Sequence, residues 1–335
     1  MLSWHRAPLQ ALLARREKLP HALLIQGKAG IGKVEFAKTV AQTLLCEAPE
    51  NGLACGTCSA CGWFAEGNHP DYREILPESL KADESDAETA SDTEKAEKKS
   101  AQITIDQVRD LRQFVSLSTH RDGFRVLVIH PAEAMNPAAA NALLKTLEEP
   151  TPSTLIMLIA DQPGRLLATV KSRCQALILP SPDTAEAIAW LKEQGVTVGV
   201  EALLAQAGGS PLLALERADE TYQTQRKQFL DALGDPRRSD WLSVAAAFEK
   251  SDLSQVVHWL QTWCCDLVTV KQIGEARHHP DFAQAIGRVA AEAPLAPLFR
   301  YESALRQSRR TIQHPLNARL LLEQLLISYA EAVQH

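Results

Sequence analysis

The stretch GKAGIGKV, residues 27–34, follows the apolar run HALLIQ (21–26) and opens the helical pattern VEFAKTVAQTLLC (34–46). A buried strand, a glycine loop ending in lysine and a helix form the context in which Gly-x4-Gly-Lys reads as a phosphate loop. Gly27 and Gly32 let backbone N–H groups face a phosphate, and Lys33 reaches toward its outer oxygens. The next residue should carry a hydroxyl for Mg²⁺, and Val34 offers only methyl groups. The stretch therefore sets an α/β fold and places its chemistry in doubt.

The second half of such a site belongs at the end of a later buried strand, with an Asp for the metal and a Glu that positions water. The strand expected there, FRVLVI (124–129), runs instead into His130 and Pro131. Loss of hydroxyl, carboxylate and base together removes the charge neutralisation on which phosphoryl transfer depends. The chain is expected to hydrolyse no nucleotide by itself. Two readings of the loop stay open: Gly27, Gly32 and Lys33 still bind a phosphate, or the loop is a vestigial turn whose glycines serve packing.

Outward from the loop, DYREIL (71–76), TLIMLIA (154–160) and QALILP (175–180) read as further strands, with helices over TIDQVRDLRQFVSL (104–117), NPAAANALLKTLEEP (136–150) and PGRLLATVKSR (163–173). Thr104 and Gln107 have capping-box spacing, Ile105, Val108, Leu111 and Val115 form one stripe, and Asn136-Pro137 is a helix start. Continuous apolar strands between helices predict a parallel sheet covered on both faces. Beyond about residue 180 the strand signal stops. Residues 181–220 read as a small helical unit and 221–335 as a larger one, ending in NARLLLEQLLISYAEAV (317–333). Its stripe, including Leu320, Leu321, Leu325 and Leu326, is expected to be core first and a neighbour's contact second. The polar segment 78–100 has no periodicity and is expected to be a disordered insertion.

Cys46, Cys55, Cys58 and Cys61 offer the four thiolates of a tetrahedral structural zinc, with glycines at 52, 56 and 62 for the turns. No position is left open for catalysis. The remaining cysteines, Cys174, Cys264 and Cys265, make the total odd, which speaks against a disulfide framework.

The net charge of −6 argues against strong autonomous binding to nucleic acid, although segment 78–100, with eight acids and four bases, carries much of it. No run is apolar enough to span a membrane, and the first residues lack a signal core, so the cytoplasm is the expected location. Arg306, Arg309 and Arg310 share a helical face without interleaved aromatic residues, which reads as a solvated face. His21 and His130, at strand ends, read as core or edge residues.

The cysteine module, NALLKTLEEP, Ser172-Arg173-Cys174 and GGSP (208–211) together resemble bacterial clamp-loader subunits of the AAA+ ATPase fold, the DNA polymerase III gamma/tau family. HPDY (69–72) and the degenerate loop look like the delta-prime class of that family. The resemblance implies an N-terminal P-loop (AAA+) α/β domain over 1–180 with zinc module 46–61, a helical lid over 181–220 and an all-α collar over 221–335. It implies a hetero-oligomeric ring with ATPase subunits and a clamp-opening subunit, acting on a sliding clamp and primed DNA. ATP would sit only at the neighbouring subunit's site, to which Arg173 would be donated as an arginine finger. Active relatives carry an Arg after the lid Gly-Ser, where this chain has Leu212. Two other readings are an ATPase with an unorthodox metal site and a DNA-binding module using the zinc unit and the Arg306 face.

Overall fold

The computed structural model describes residues 1–80, 100–116, 123–311 and 317–334. The expectation of disorder over 78–100 falls almost wholly outside them. Ser79 N–H donates to Ser100 O at 3.2 Å. Two compact units are present, residues 1–182 and 183–335.

The first unit begins with α1 (Arg6–Leu13), β1 (Ala22–Gln26), α2 (Lys33–Leu45), α3 (Ser59–Ala65) and β2 (Tyr72–Ile75). It continues through α4 (Ile105–Ser116), β3 (Arg125–Ile129), α5 (Pro137–Glu148), β4 (Thr154–Ala160), α6 (Ala168–Lys171) and β5 (Gln175–Ile178). The five strands among the described residues are all parallel, in the order β2-β3-β4-β1-β5. Alternate residues of each central strand serve opposite faces, which is why the runs are apolar without a break. Leu24, Leu127 and Leu158 join a core with Val108, Leu143 and Val170 of α4, α5 and α6. Ile25, Val128 and Ile159 join the other core, with Leu9 of α1 and Phe36 and Val40 of α2. The parallel, doubly covered sheet is the expected one.

Arg125 is the charged residue among the central strands β1, β3 and β4, and it is buried. Its guanidinium donates to Val115 O at 2.8 Å, lies 3.8 Å from Asp71 and sits over the Phe114 ring. These contacts tie the HPDY segment and the end of α4 to the sheet.

Local expectations fare differently. Asn136 Oδ1 accepts from Ala139 N–H at 2.8 Å and Pro137 is the first residue of α5, as the sequence implies. Gln107 accepts from Thr104 N–H at 2.9 Å, but its amide reaches Leu76 O, which binds the helix start to the end of β2. PGRLLATVKSR is not one helix: a 3-10 turn at Pro163–Arg165 and the four-residue α6 flank an extended Leu166-Leu167. Leu166 and Val170 both reach the sheet core from this broken path.

The second unit is helical: α7 (Thr184–Glu193), α8 (Val200–Gln206), α9 (Pro211–Glu216), α10 (Glu220–Gly234), α11 (Trp241–Phe248), α12 (Leu253–Ile273), α13 (Ala283–Glu292), α14 (Leu295–Thr311) and α15 (Ala318–Val333). Asp183, Asp219, Asp240, Asp252 and Asn317 each cap a helix by accepting a first-turn N–H. Its described residues form two separate cores, one on α7, α8 and α9 and a larger one running from Phe229 to Val333. Leu325 and Leu326 lie in the larger core and Leu321 packs on it, but Leu320 is 62% exposed. The sequence stripe was too wide at that residue: the helix has more apolar positions than its inner face can bury.

Candidate sites: phosphate loop, arginine corner and cysteine cluster

The glycine loop connects β1 to α2. Gly32 has φ +87°, and a Cβ there would run into Leu2 Cδ1 and stand 3.0 Å from His5 Cε1. A Cβ on Gly27 would meet Ile31 Cδ1 at 2.7 Å and Leu179 O at 3.1 Å. Trp4 Nε1–H donates to Ile31 O at 2.9 Å, so the chain's first turn is docked directly on the loop. Burial holds the His5 imidazole neutral, with its pKa lowered to about 4.

Lys33 is buried, and its ammonium faces the loop's own carbonyls. Nζ donates to Gly27 O at 3.0 Å and to Lys28 O, and forms an ion pair with Asp161. Asp161 follows β4, and the parallel register Gln26↔Ala160 places it beside Gly27. Sequence reading sought an acid after β3 and missed this one. The available signal was the acid following TLIMLIA, legible only once β4 is known to neighbour β1.

Where the β3 acid was sought stands His130, whose Nδ1 is buried without a hydrogen-bond partner. Burial lowers its pKa against the opposing pull of Asp161, Glu74 and Glu133. Glu133 turns to the backbone beyond β4, accepting from Asp161 N–H at 3.0 Å and Gln162 N–H at 2.8 Å. Val34 packs against the α1/α2 core. The loop thus has a carboxylate beside it, but that carboxylate neutralises the lysine. Leu212 lies in α9 of the second unit.

Arg173 follows α6 and its side chain is 35% exposed. Nη1–H donates to Thr169 O at 3.0 Å and lies 3.4 Å from Ser172 Oγ, and Nη2 pairs with Glu148 Oε1 at 2.6 Å. Neighbouring Cys174 packs on the sheet core, and burial raises its thiol to about 11. Its reading as a small core residue agrees with that environment. On the second unit, Arg306 pairs with Glu302 and Arg309 reaches Gln261 Oε1 at 3.4 Å, while the Arg310 side chain lies outside the described ones.

The four sequence-predicted cysteines converge. Their sulfurs all lie within 4.8 Å of one another. Cys46 Sγ is 3.5 Å from Cys55 Sγ and 3.8 Å from Cys58 Sγ. Zinc–sulfur bonds of about 2.3 Å put tetrahedral sulfurs about 3.8 Å apart, so the cluster fits such an ion. Backbone N–H groups already face the sulfurs, from Cys55 to Cys46 Sγ at 3.3 Å and from Cys58 to Cys55 Sγ at 3.4 Å. Hydrogen bonds led by the Thr57 N–H lower the Cys55 thiol to about 6, favouring the thiolate that a metal needs.

No helix among the described residues is long and apolar enough to cross a membrane. Two family models match the chain, "DNA polymerase III, delta subunit" over residues 8–183 and "DNA polymerase III, delta subunit, C terminal" over residues 221–331. DNA polymerase III subunit delta' of Pseudomonas aeruginosa is 35% identical, over 98% of this chain and 96% of its own length. The subunit of that name from Haemophilus influenzae is also 35% identical, over 81% of this chain and 78% of its own. Among solved structures, a DNA polymerase III gamma subunit-related protein from Thermotoga maritima aligns over 98% of this chain and all of its own, at TM-score 0.47 and 18% identity. The chain belongs to the delta-prime subunit family of DNA polymerase III.

Proposed function

We propose that this chain is the non-hydrolysing member of a clamp loader. In this reading it supports ATP-dependent loading of a sliding clamp onto primed DNA, within a cytoplasmic ring that also holds ATPase subunits and a clamp-opening subunit. The observation that carries it is the asymmetry between two cations. Lys33 is enclosed by its own loop and Asp161, beside a residue with no metal-binding oxygen, whereas Arg173 stands on an accessible corner. A guanidinium offered in trans stabilises charge developing on a γ-phosphate, an effect worth about 10³–10⁵ in rate where an arginine finger acts. Arg173 is that group, and ATP occupies only the neighbouring subunit's site.

The helices of residues 181–220 act as the lid and those of 221–335 as the collar that joins subunits. Cys46, Cys55, Cys58 and Cys61 hold one zinc, whose role is structural: four protein thiolates leave no coordination position for a substrate.

The test is a purified loader reconstituted with wild-type or Arg173→Ala chain. The variant should assemble normally, lower ATP turnover and slow clamp loading. Unchanged turnover in a verified complex would refute the role given to Arg173.

A further inference from the structure

We infer that Glu148 is the resident anion of Arg173, holding the guanidinium in the unengaged subunit and competing with the neighbour's nucleotide phosphate for it. The inference rests on the reading of Arg173 as a finger. It adds a residue that positions this finger and sets the nucleotide concentration at which it engages.

The two terminal nitrogens of Arg173 have different partners. Nη1 is directed at uncharged acceptors of its own turn, Thr169 O at 3.0 Å and Ser172 Oγ at 3.4 Å. These contacts anchor one side of the planar group. Nη2 holds the carboxylate of Glu148 at 2.6 Å. A guanidinium fork matches carboxylate and phosphate oxygens alike, so Nη2 is where one anion can be exchanged for another without turning the anchored side.

The placement of Glu148 supports the same reading. It is the last residue of α5, followed by Glu149 and Pro150. A carboxylate at a helix C-terminus opposes the helix dipole, so a cation close to it is stabilising there, beside Lys145 of the same last turn. Arg173 supplies the cation in direct contact. Both side chains remain open to exchange, at 35% exposure for Arg173 and 48% for Glu148. A pair this exposed is weak, and a polyanionic phosphate can displace the carboxylate.

ATP turnover against ATP concentration, in loaders assembled with each variant, tests the inference. Glu148→Gln removes the competing charge and keeps the shape. It should lower the half-saturating ATP concentration about two- to five-fold, equivalent to about 0.4–1 kcal/mol, without lowering kcat. Glu148→Asp, which retains the anion, should move that concentration back toward the wild-type value. In an Arg173→Ala background, Glu148→Gln should have no effect. If Arg173→Ala lowers turnover but Glu148→Gln leaves the half-saturating concentration unchanged or reduces kcat, Glu148 is not a competitor and the finger reading survives. If Arg173→Ala itself leaves turnover unchanged, the finger reading fails and this inference falls with it.

Discussion

Cys58→Ser probes the cysteine cluster at its centre. The sulfur separations, 3.5 and 3.8 Å from Cys46, with every donor within 4.8 Å, stand within about 1 Å of the tetrahedral edge expected for zinc thiolates. Binding a structural zinc is worth about 10–16 kcal/mol in small zinc domains at neutral pH. One ligand of four then carries roughly 2.5–4 kcal/mol, a weakening of about 10²–10³ in Kd. The damage should stay local, because none of the four cysteines belongs to either sheet core. Elemental analysis of protein purified at neutral pH without chelator should give one zinc per chain. Cys58→Ser should lose its zinc to a chelator concentration that leaves the wild type loaded. Proteolysis should then enter between Cys46 and Cys61, while the cooperative melt of the sheet persists. Wild-type protein with far less than one zinc per chain, or a Cys58→Ser variant that holds zinc as tightly, would refute the reasoning.

Two further outcomes concern the phosphate loop and acid. Saturating binding raises stability by about 2.7 kcal/mol when ligand stands at a hundred times Kd. Millimolar MgATP should leave the melting temperature of the isolated chain unchanged, and a stabilisation that disappears in Lys33→Ala would overturn the view of an internally neutralised loop. His258 in α12 is held at about 4, first by burial and then by Arg217, Arg309 and His278. The unfolded chain binds that proton near pH 6.5, so stability is full above this pH and falls as pH drops toward 4, by about 3 kcal/mol. Urea unfolding at pH 7.5 and 4.5 should show a shallower acid loss for His258→Gln than for wild type, and equal losses would sink the assignment.

The fold was legible because its physical demands are sequential. Unbroken apolar strands, an Asn-Pro helix start and a glycine loop between strand and helix each act over a few residues, and each lies where it was expected. The cysteines were legible for the same reason, since Cys-x2-Cys spacing carries most of their geometry. What escaped depends on pairings distant in sequence. Arg125 reads as a flaw in an apolar strand until Asp71, Val115 and Phe114 are brought around it. The Glu148 partner of Arg173 comes from the preceding helix, across an intervening strand. Leu320 was misread because an apolar stripe on a sequence does not reveal how much of it the fold can cover.

Asp161 changes what the opening loop means. From sequence, the doubt over GKAGIGKV rested on missing groups: no hydroxyl at Val34 and no acid at His130 or Pro131. Absence alone is compatible with weak nucleotide binding, because the glycines and the lysine remain. The structure adds a group that acts against binding. An incoming phosphate has to displace a carboxylate from Lys33 and two carbonyls from the same ammonium, beside an acid of its own charge sign. The glycines do not argue the other way. Gly32 at φ +87° and Gly27 at φ +156° hold backbone conformations that side chains rarely adopt, with Leu2, His5, Ile31 and Leu179 close by, so backbone geometry and packing account for both. A loop whose glycines fit their packing and whose lysine carries its own counter-ion keeps the shape of a nucleotide site with its cation already neutralised. Arg173, by contrast, pairs with a half-exposed carboxylate, and on the proposed reading it is the cation that can exchange its anion.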